Sequence, residues 1–66
     1  MKVNGREILL GNLSSPSVNS LLESLHLKPE MVALQRNGEI LKRNSWQEVV
    51  LEEGDRIEIL KMVGGG

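Results

Sequence analysis

Apolar positions along the chain follow two distinct periods. Val18, Leu21, Leu22 and Leu25 recur at steps of three, one and three. That spacing puts them on one face of a helix, with Asn19, Glu23 and Ser24 turned away. Arg56-Ile57-Glu58-Ile59 instead alternates strictly, the pattern of a strand with one covered face, and it runs on through Leu60-Lys61-Met62-Val63. Met31 to Arg36 reads as another strand, with Val32 and Leu34 sharing a face. Trp46, Val49 and Val50 fit a short helical turn better than a strand, with Ser45 as its cap.

Turn residues connect these pieces. Asn4-Gly5 lies inside Met1 to Leu10 and Asn37-Gly38 lies between Arg36 and Glu39, and Asn-Gly is the strongest short signal for a two-residue hairpin. Each therefore predicts a hairpin, the second leading into Glu39-Ile40-Leu41-Lys42. Gly11 to Ser17 is dense in turn formers, and Ser15-Pro16 suits an N-cap followed by a first helical residue. The helix is expected from about Pro16 to Leu27, stopping before Pro29. Glu52-Glu53-Gly54-Asp55 is a charged turn before the last strand.

Two hairpins joined by a helix, with a final strand returning, form an α+β layer: a mixed sheet of four to five strands packed on one helix. This is the β-grasp arrangement seen in ubiquitin. The expected core comprises Val3, Ile8, Leu10, Val18, Leu21, Leu22, Leu25, Val32, Leu34, Ile40, Trp46, Val49, Leu51, Ile57 and Ile59. If Ile57 and Ile59 face that core, Leu60 and Met62 turn to the opposite side, where they offer a docking surface beside the chain's end.

Composition narrows the function. Eight Lys and Arg against nine Asp and Glu give a formal charge of −1, without the basic excess that a phosphate backbone requires. Nucleic acid is therefore not an expected partner. No apolar run approaches spanning length and Lys2 is followed by a polar turn, so the reading is cytoplasmic, with no membrane. The single histidine, His26, falls at the end of the expected helix, where the helix dipole accounts for it. The carboxylates show no metal-ligand spacing, and no acid, base and nucleophile come together. The chain reads as a non-enzyme that binds no cofactor of its own.

The ending carries the chemistry. Residues 1–62 are expected to form the domain and 63–66 a flexible glycine tail, because three glycines after a strand do not pack. Val63-Gly64-Gly65-Gly66, fully extended, spans about 13–14 Å, enough to reach a partner's active site. A carboxylate is a poor electrophile, so acyl chemistry at Gly66 requires prior activation, for instance on an ATP phosphate, by an enzyme that supplies the nucleotide site. Taken alone, a glycine run equally suits a frayed terminus.

The helix pattern Val18-Asn19-Ser20-Leu21-Leu22-Glu23-Ser24-Leu25 and the stretch Val32 to Leu41 resemble the thiamine-biosynthesis sulfur carrier (ThiS) family. So do Arg43, Trp46, Val50, Glu53-Gly54-Asp55, Ile57 to Leu60 and the closing Val63-Gly64-Gly65-Gly66. The resemblance runs over essentially the whole chain. It implies that Gly66 is adenylated by a ubiquitin-activator-like adenylyltransferase using ATP and magnesium. It further implies that Gly66 becomes a thiocarboxylate with sulfur from a donor protein and delivers that sulfur to thiazole synthase. The free protein is expected to be a monomer. The absence of cysteine agrees, since sulfur then has no thiolate to ride on. A carrier for molybdopterin or cysteine synthesis, or an interaction module of the same fold, are the competing readings.

Overall fold

The computed structural model describes residues 1–62. Its strands are β1 (Lys2–Val3), β2 (Arg6–Glu7), β3 (Val32–Arg36), β4 (Glu39–Leu41) and β5 (Arg56–Lys61), with one α-helix, α1 (Val18–Ser24), and three 3-10 turns. They form one sheet in the order β2-β1-β5-β3-β4. β1 and β5 are parallel while the other neighbours are antiparallel, so the last strand in sequence is the central one. This is the expected mixed sheet on one helix.

Both Asn-Gly pairs make the turns that their chemistry favours. Asn4 and Asn37 have φ of 52°, and Gly5 and Gly38 have φ of 82° and 87°. Two successive positive φ values define the hairpin turn whose twist matches its strands. Asn4 does more than turn. Its side-chain oxygen accepts from the Ile59 N–H at 2.7 Å and its amide donates to the Ile59 carbonyl at 3.2 Å. The side chain thus stands in for the next peptide of β1 and prolongs the parallel pairing with β5.

The helix is shorter than expected at both ends. Ser17, not Ser15, is the N-cap, accepting from the Ser20 N–H at 3.1 Å. The Pro16 carbonyl is taken by the Leu51 N–H at 2.8 Å, which ties the helix start to the loop before β5. At the other end His26 adopts a left-handed φ of 58°. The Leu27 N–H reaches the Leu22 carbonyl and the His26 N–H the Glu23 carbonyl, a Schellman closure that stops the helix ahead of Leu27.

Val18, Leu21 and Leu22 press onto Val3, Val32, Leu34, Ile57 and Ile59, with Met1, Trp46 and Leu51 closing the core. Ile8, Leu10, Leu25 and Val49 pack against it half-buried. Ile40 departs from expectation: it is 73% exposed. The Asn37-Gly38 turn pairs Leu34 with Leu41 and Gln35 with Ile40, and cross-strand partners share a face. Leu41 therefore turns inward and Ile40 outward. Met1, absent from the expected core, is buried, its ammonium donating to the Glu7 carboxylate at 2.9 Å. That hydrogen bond, with the attraction of the charge, holds Glu7 below its ordinary value.

The turn around Trp46 is a 3-10 helix over Arg43–Glu48, with Ser45 inside it rather than capping it and Val49 and Val50 beyond its end. The Trp46 indole donates to the Leu41 carbonyl at 3.0 Å. The Arg43 guanidinium lies 5.2 Å from the ring centre and donates to the Val32 carbonyl at 2.9 Å.

Asp55, 4% exposed, joins the second hairpin to the start of β5. It accepts from Arg36 at 2.9 Å, from Asn37 at 3.1 Å and from the Glu52 N–H at 2.9 Å. Burial by itself works against its charge, but the hydrogen bonds from Glu52, Asn37 and Arg36, with the attraction of Arg36, together outweigh it and hold its carboxyl below the ordinary carboxylate range. Because the folded value is depressed, the stabilisation is present above the ordinary value of 3.8 and is lost as pH falls through the lowered one. Asp55→Asn is expected to cost about 1–3 kcal/mol at pH 7 and to flatten this acid dependence. Urea denaturation followed by Trp46 fluorescence at several pH values checks both.

Candidate functional site

β5 carries the chain to the candidate site. Its alternation buries Ile57 and Ile59 and leaves Glu58 and Leu60 on the outer face of the sheet. Leu60 is 55% exposed and lies opposite Ala33 of β3, while Ile40 lies opposite Gln35 on the same strand. The outer face therefore shows aliphatic groups on three adjacent strands. Ile40 belongs to this face, and the two-residue turn is the signal that places it there.

Met62 follows β5, and its N–H donates to the Met31 carbonyl at 2.8 Å. Both methionines are exposed, 44% at Met31 and 46% at Met62, and they line a shallow groove with the connector from α1 to β3. Leu60 and Met62 are both exposed, but only Leu60 lies on the outer face of the sheet; Met62, past the end of β5, lines the groove with Lys61 and Val32 instead of sharing the expected face. The strand expected from Met31 begins one residue later: Met31 ends a 3-10 turn over Pro29–Met31, and β3 starts at Val32.

Val63, Gly64, Gly65 and Gly66, the expected tail, lie outside the described residues. In the β3–β5 register Val32 pairs with Lys61 and Arg36 with Ile57, so Met62 emerges at the end of the sheet opposite the Asn37-Gly38 turn.

Other candidate chemistry resolves into structure. Ser17 caps the helix, and buried Ser20 shares hydrogen bonds with the Ser14 and Ser15 hydroxyls at 3.1 and 2.7 Å. His26 closes the helix through its backbone and exposes its side chain. Among the described residues no three His, Cys, Asp or Glu side chains come together to hold a metal ion. No helix among them is long and apolar enough to cross a membrane.

Against this geometry, the profile of the ThiS family matches residues 1–66. The chain belongs to the ThiS family. The sulfur carrier protein ThiS of Bacillus subtilis is 33% identical over 66 residues, covering 100% of this chain and 98% of that one. The crystal structure of the thiamine biosynthesis protein ThiS from Geobacter metallireducens superposes with a TM-score of 0.78 at 33% identity, covering 98% of this chain and 96% of that one. A thiazole synthase of Paramagnetospirillum magneticum is 38% identical over 65 residues, 97% of this chain but 19% of the synthase. The chain therefore spans about a fifth of that synthase, whose length holds a ThiS-like stretch within a larger polypeptide.

Proposed function

We propose that this chain is a sulfur carrier of thiamine biosynthesis, working in the cytoplasm as a co-substrate rather than a catalyst. Its Gly66 carboxylate attacks the α-phosphate of ATP in a partner adenylyltransferase that supplies the magnesium, releasing pyrophosphate and leaving an acyl adenylate. A sulfur nucleophile drawn from a donor protein then displaces AMP, and the resulting thiocarboxylate delivers sulfur to thiazole synthase. Full-length agreement with the ThiS family carries the reading, because the match includes the glycines 64–66 rather than stopping at the folded domain. The names of the relatives supply the pathway: a sulfur carrier protein in one and a thiazole synthase in another. The chain's lack of cysteine leaves a terminal acyl group as the natural bearer of sulfur.

In this reading Leu60 and Met62 serve as the surface on which the adenylyltransferase docks, bringing residues 63–66 to its nucleotide. Leu60→Asp and Met62→Asp should each weaken binding to that enzyme about tenfold or more, the scale set by losing burial of one aliphatic side chain at an interface. Thermal midpoints should hardly move, since both side chains are exposed. Titration of each variant against the enzyme, beside a melting curve, makes the check. The function itself is tested by reconstitution: thiazole formation by the synthase should depend on carrier that has passed through the adenylyltransferase.

A further inference from the structure

The chain has three methionines and no cysteine, so thioethers are its only side-chain sulfurs, and the fold divides them sharply. Met1 is 3% exposed and belongs to the core, whereas Met31 and Met62 are nearly half exposed and are not among the residues that build it. Both exposed side chains line one groove, since the Met62 N–H donates to the Met31 carbonyl and ties the two backbones together. The Lys28 and Lys61 ammonium groups and the His26 imidazole line the same groove. Among the described residues neither lysine takes part in an ion pair. Trp46, the other side chain that oxidants attack, is buried with its indole bonded to Leu41. Oxidisable sulfur is thus concentrated at one surface of the molecule, and packing does not call for it there.

We propose that Met31 and Met62 are a reversible oxidation site, through which a peroxide stops the loading of sulfur onto this carrier. At each residue the thioether sulfur attacks one oxygen of hydrogen peroxide. The O–O bond breaks, an S–O bond forms, and the departing hydroxide takes the proton of the transferred oxygen and leaves as water. Sulfur is oxidised by two electrons and the peroxide is reduced by two. Methionine sulfoxide reductases reverse the change with electrons from a dithiol, which ends as a disulfide. Exposure selects the pair at the groove and spares Met1. The consequence is local, because a sulfoxide is polar and its oxygen is an acceptor for the Lys28 and Lys61 ammonium groups that line the same groove. An apolar, adaptable surface becomes a hydrated one while the core keeps its packing. The inference rests on the carrier reading and supplies its regulation. Leucine at either position offers similar bulk without this response. The direction also suits the cargo: a thiocarboxylate sulfur is itself open to oxidation, and a carrier that stops loading while peroxide persists exposes none of it.

The test treats the intact, unloaded chain with hydrogen peroxide, removes the oxidant, and then follows mass and loading. The mass should rise by one oxygen atom at each of Met31 and Met62, located by fragmentation, well before Met1 reacts. Given its cognate adenylyltransferase, ATP, magnesium and a sulfur donor, the oxidised chain should load about tenfold more slowly than the untreated one, the scale set by losing burial of one apolar side chain at an interface. Its melting curve should stay close to that of the untreated chain. Treatment with the two epimer-specific methionine sulfoxide reductases and a dithiol should restore the rate. Met31→Leu with Met62→Leu, compared with its own untreated form, should load equally before and after peroxide. An unchanged loading rate in the oxidised wild type, oxidation of Met1 as fast as that of the exposed pair, or an equal loss in the leucine variant would overturn the oxidation site. A wild type that does not load even before treatment sinks the carrier reading and the switch with it. One that loads equally before and after oxidation sinks the switch alone.

Discussion

Leu21→Ala should lower the free energy of unfolding by about 2–5 kcal/mol, the range for removing a fully buried leucine side chain. Leu21 is 0% exposed and lies on the inward face of α1, in the core with Val32, Leu34 and Ile57. The chain has no cysteine to form a disulfide, and a domain of this length has roughly 3–10 kcal/mol of stability in total. The substitution should therefore remove a large part of it and leave a protein partly unfolded near room temperature. Urea denaturation followed by the single tryptophan, Trp46, measures the loss. Ile40→Ala provides the internal contrast. Ile40 is exposed on the outer face, so its truncation should change stability by no more than about 0.5 kcal/mol. A loss at Ile40 comparable to that at Leu21 would mean that the β3–β4 register is wrong.

That contrast also shows what the amino-acid pattern could and could not specify. The α1 face was legible because Val18, Leu21 and Leu22 repeat at helical spacing, and β5 was legible because Arg56 to Ile59 alternate strictly. Both Asn-Gly turns could be read directly, since few residue pairs tolerate two successive positive φ values. Ile40 was misplaced because hydrophobicity alone does not say which of two adjacent apolar residues, Ile40 or Leu41, faces inward. The turn's register decides it. The helix start was misjudged for a tertiary reason, since Pro16 gives its carbonyl to Leu51, far along the chain, whereas its end was misjudged for a local one, the left-handed His26 that closes the last turn. At the candidate site, the exposure of Leu60 follows from alternation, whereas the groove that Met62 lines depends on Met31 and Lys28 arriving from another element. No local periodicity announces such a meeting.

Removing Gly66, or amidating its carboxylate, should abolish sulfur acquisition altogether while leaving the melting curve unchanged. The core is assembled from residues 1–59, so loss of the final residue subtracts no core packing. Its carboxylate, in contrast, is the group the proposed chemistry needs. A terminal carboxylate is ionised at neutral pH, so in the proposed reaction it needs no general base to attack the α-phosphate. An amide cannot form the adenylate, and a chain ending at Gly65 places its carboxylate about 3.3–3.6 Å short of the reacting phosphate. Replacing Gly65 by valine should slow loading without unfolding, because a β-branched side chain would obstruct the close approach of the backbone that the proposed insertion into a partner's active site requires.

The intact mass of the protein after incubation with the cognate adenylyltransferase, ATP, magnesium and a sulfur donor tests the carrier assignment most directly. The expected result is a gain equal to one sulfur replacing one oxygen, located by fragmentation in the C-terminal peptide and missing from the Gly66-deleted and amidated forms. No gain in the wild-type chain, a gain that survives deletion or amidation, or a modified atom on an internal side chain would contradict it.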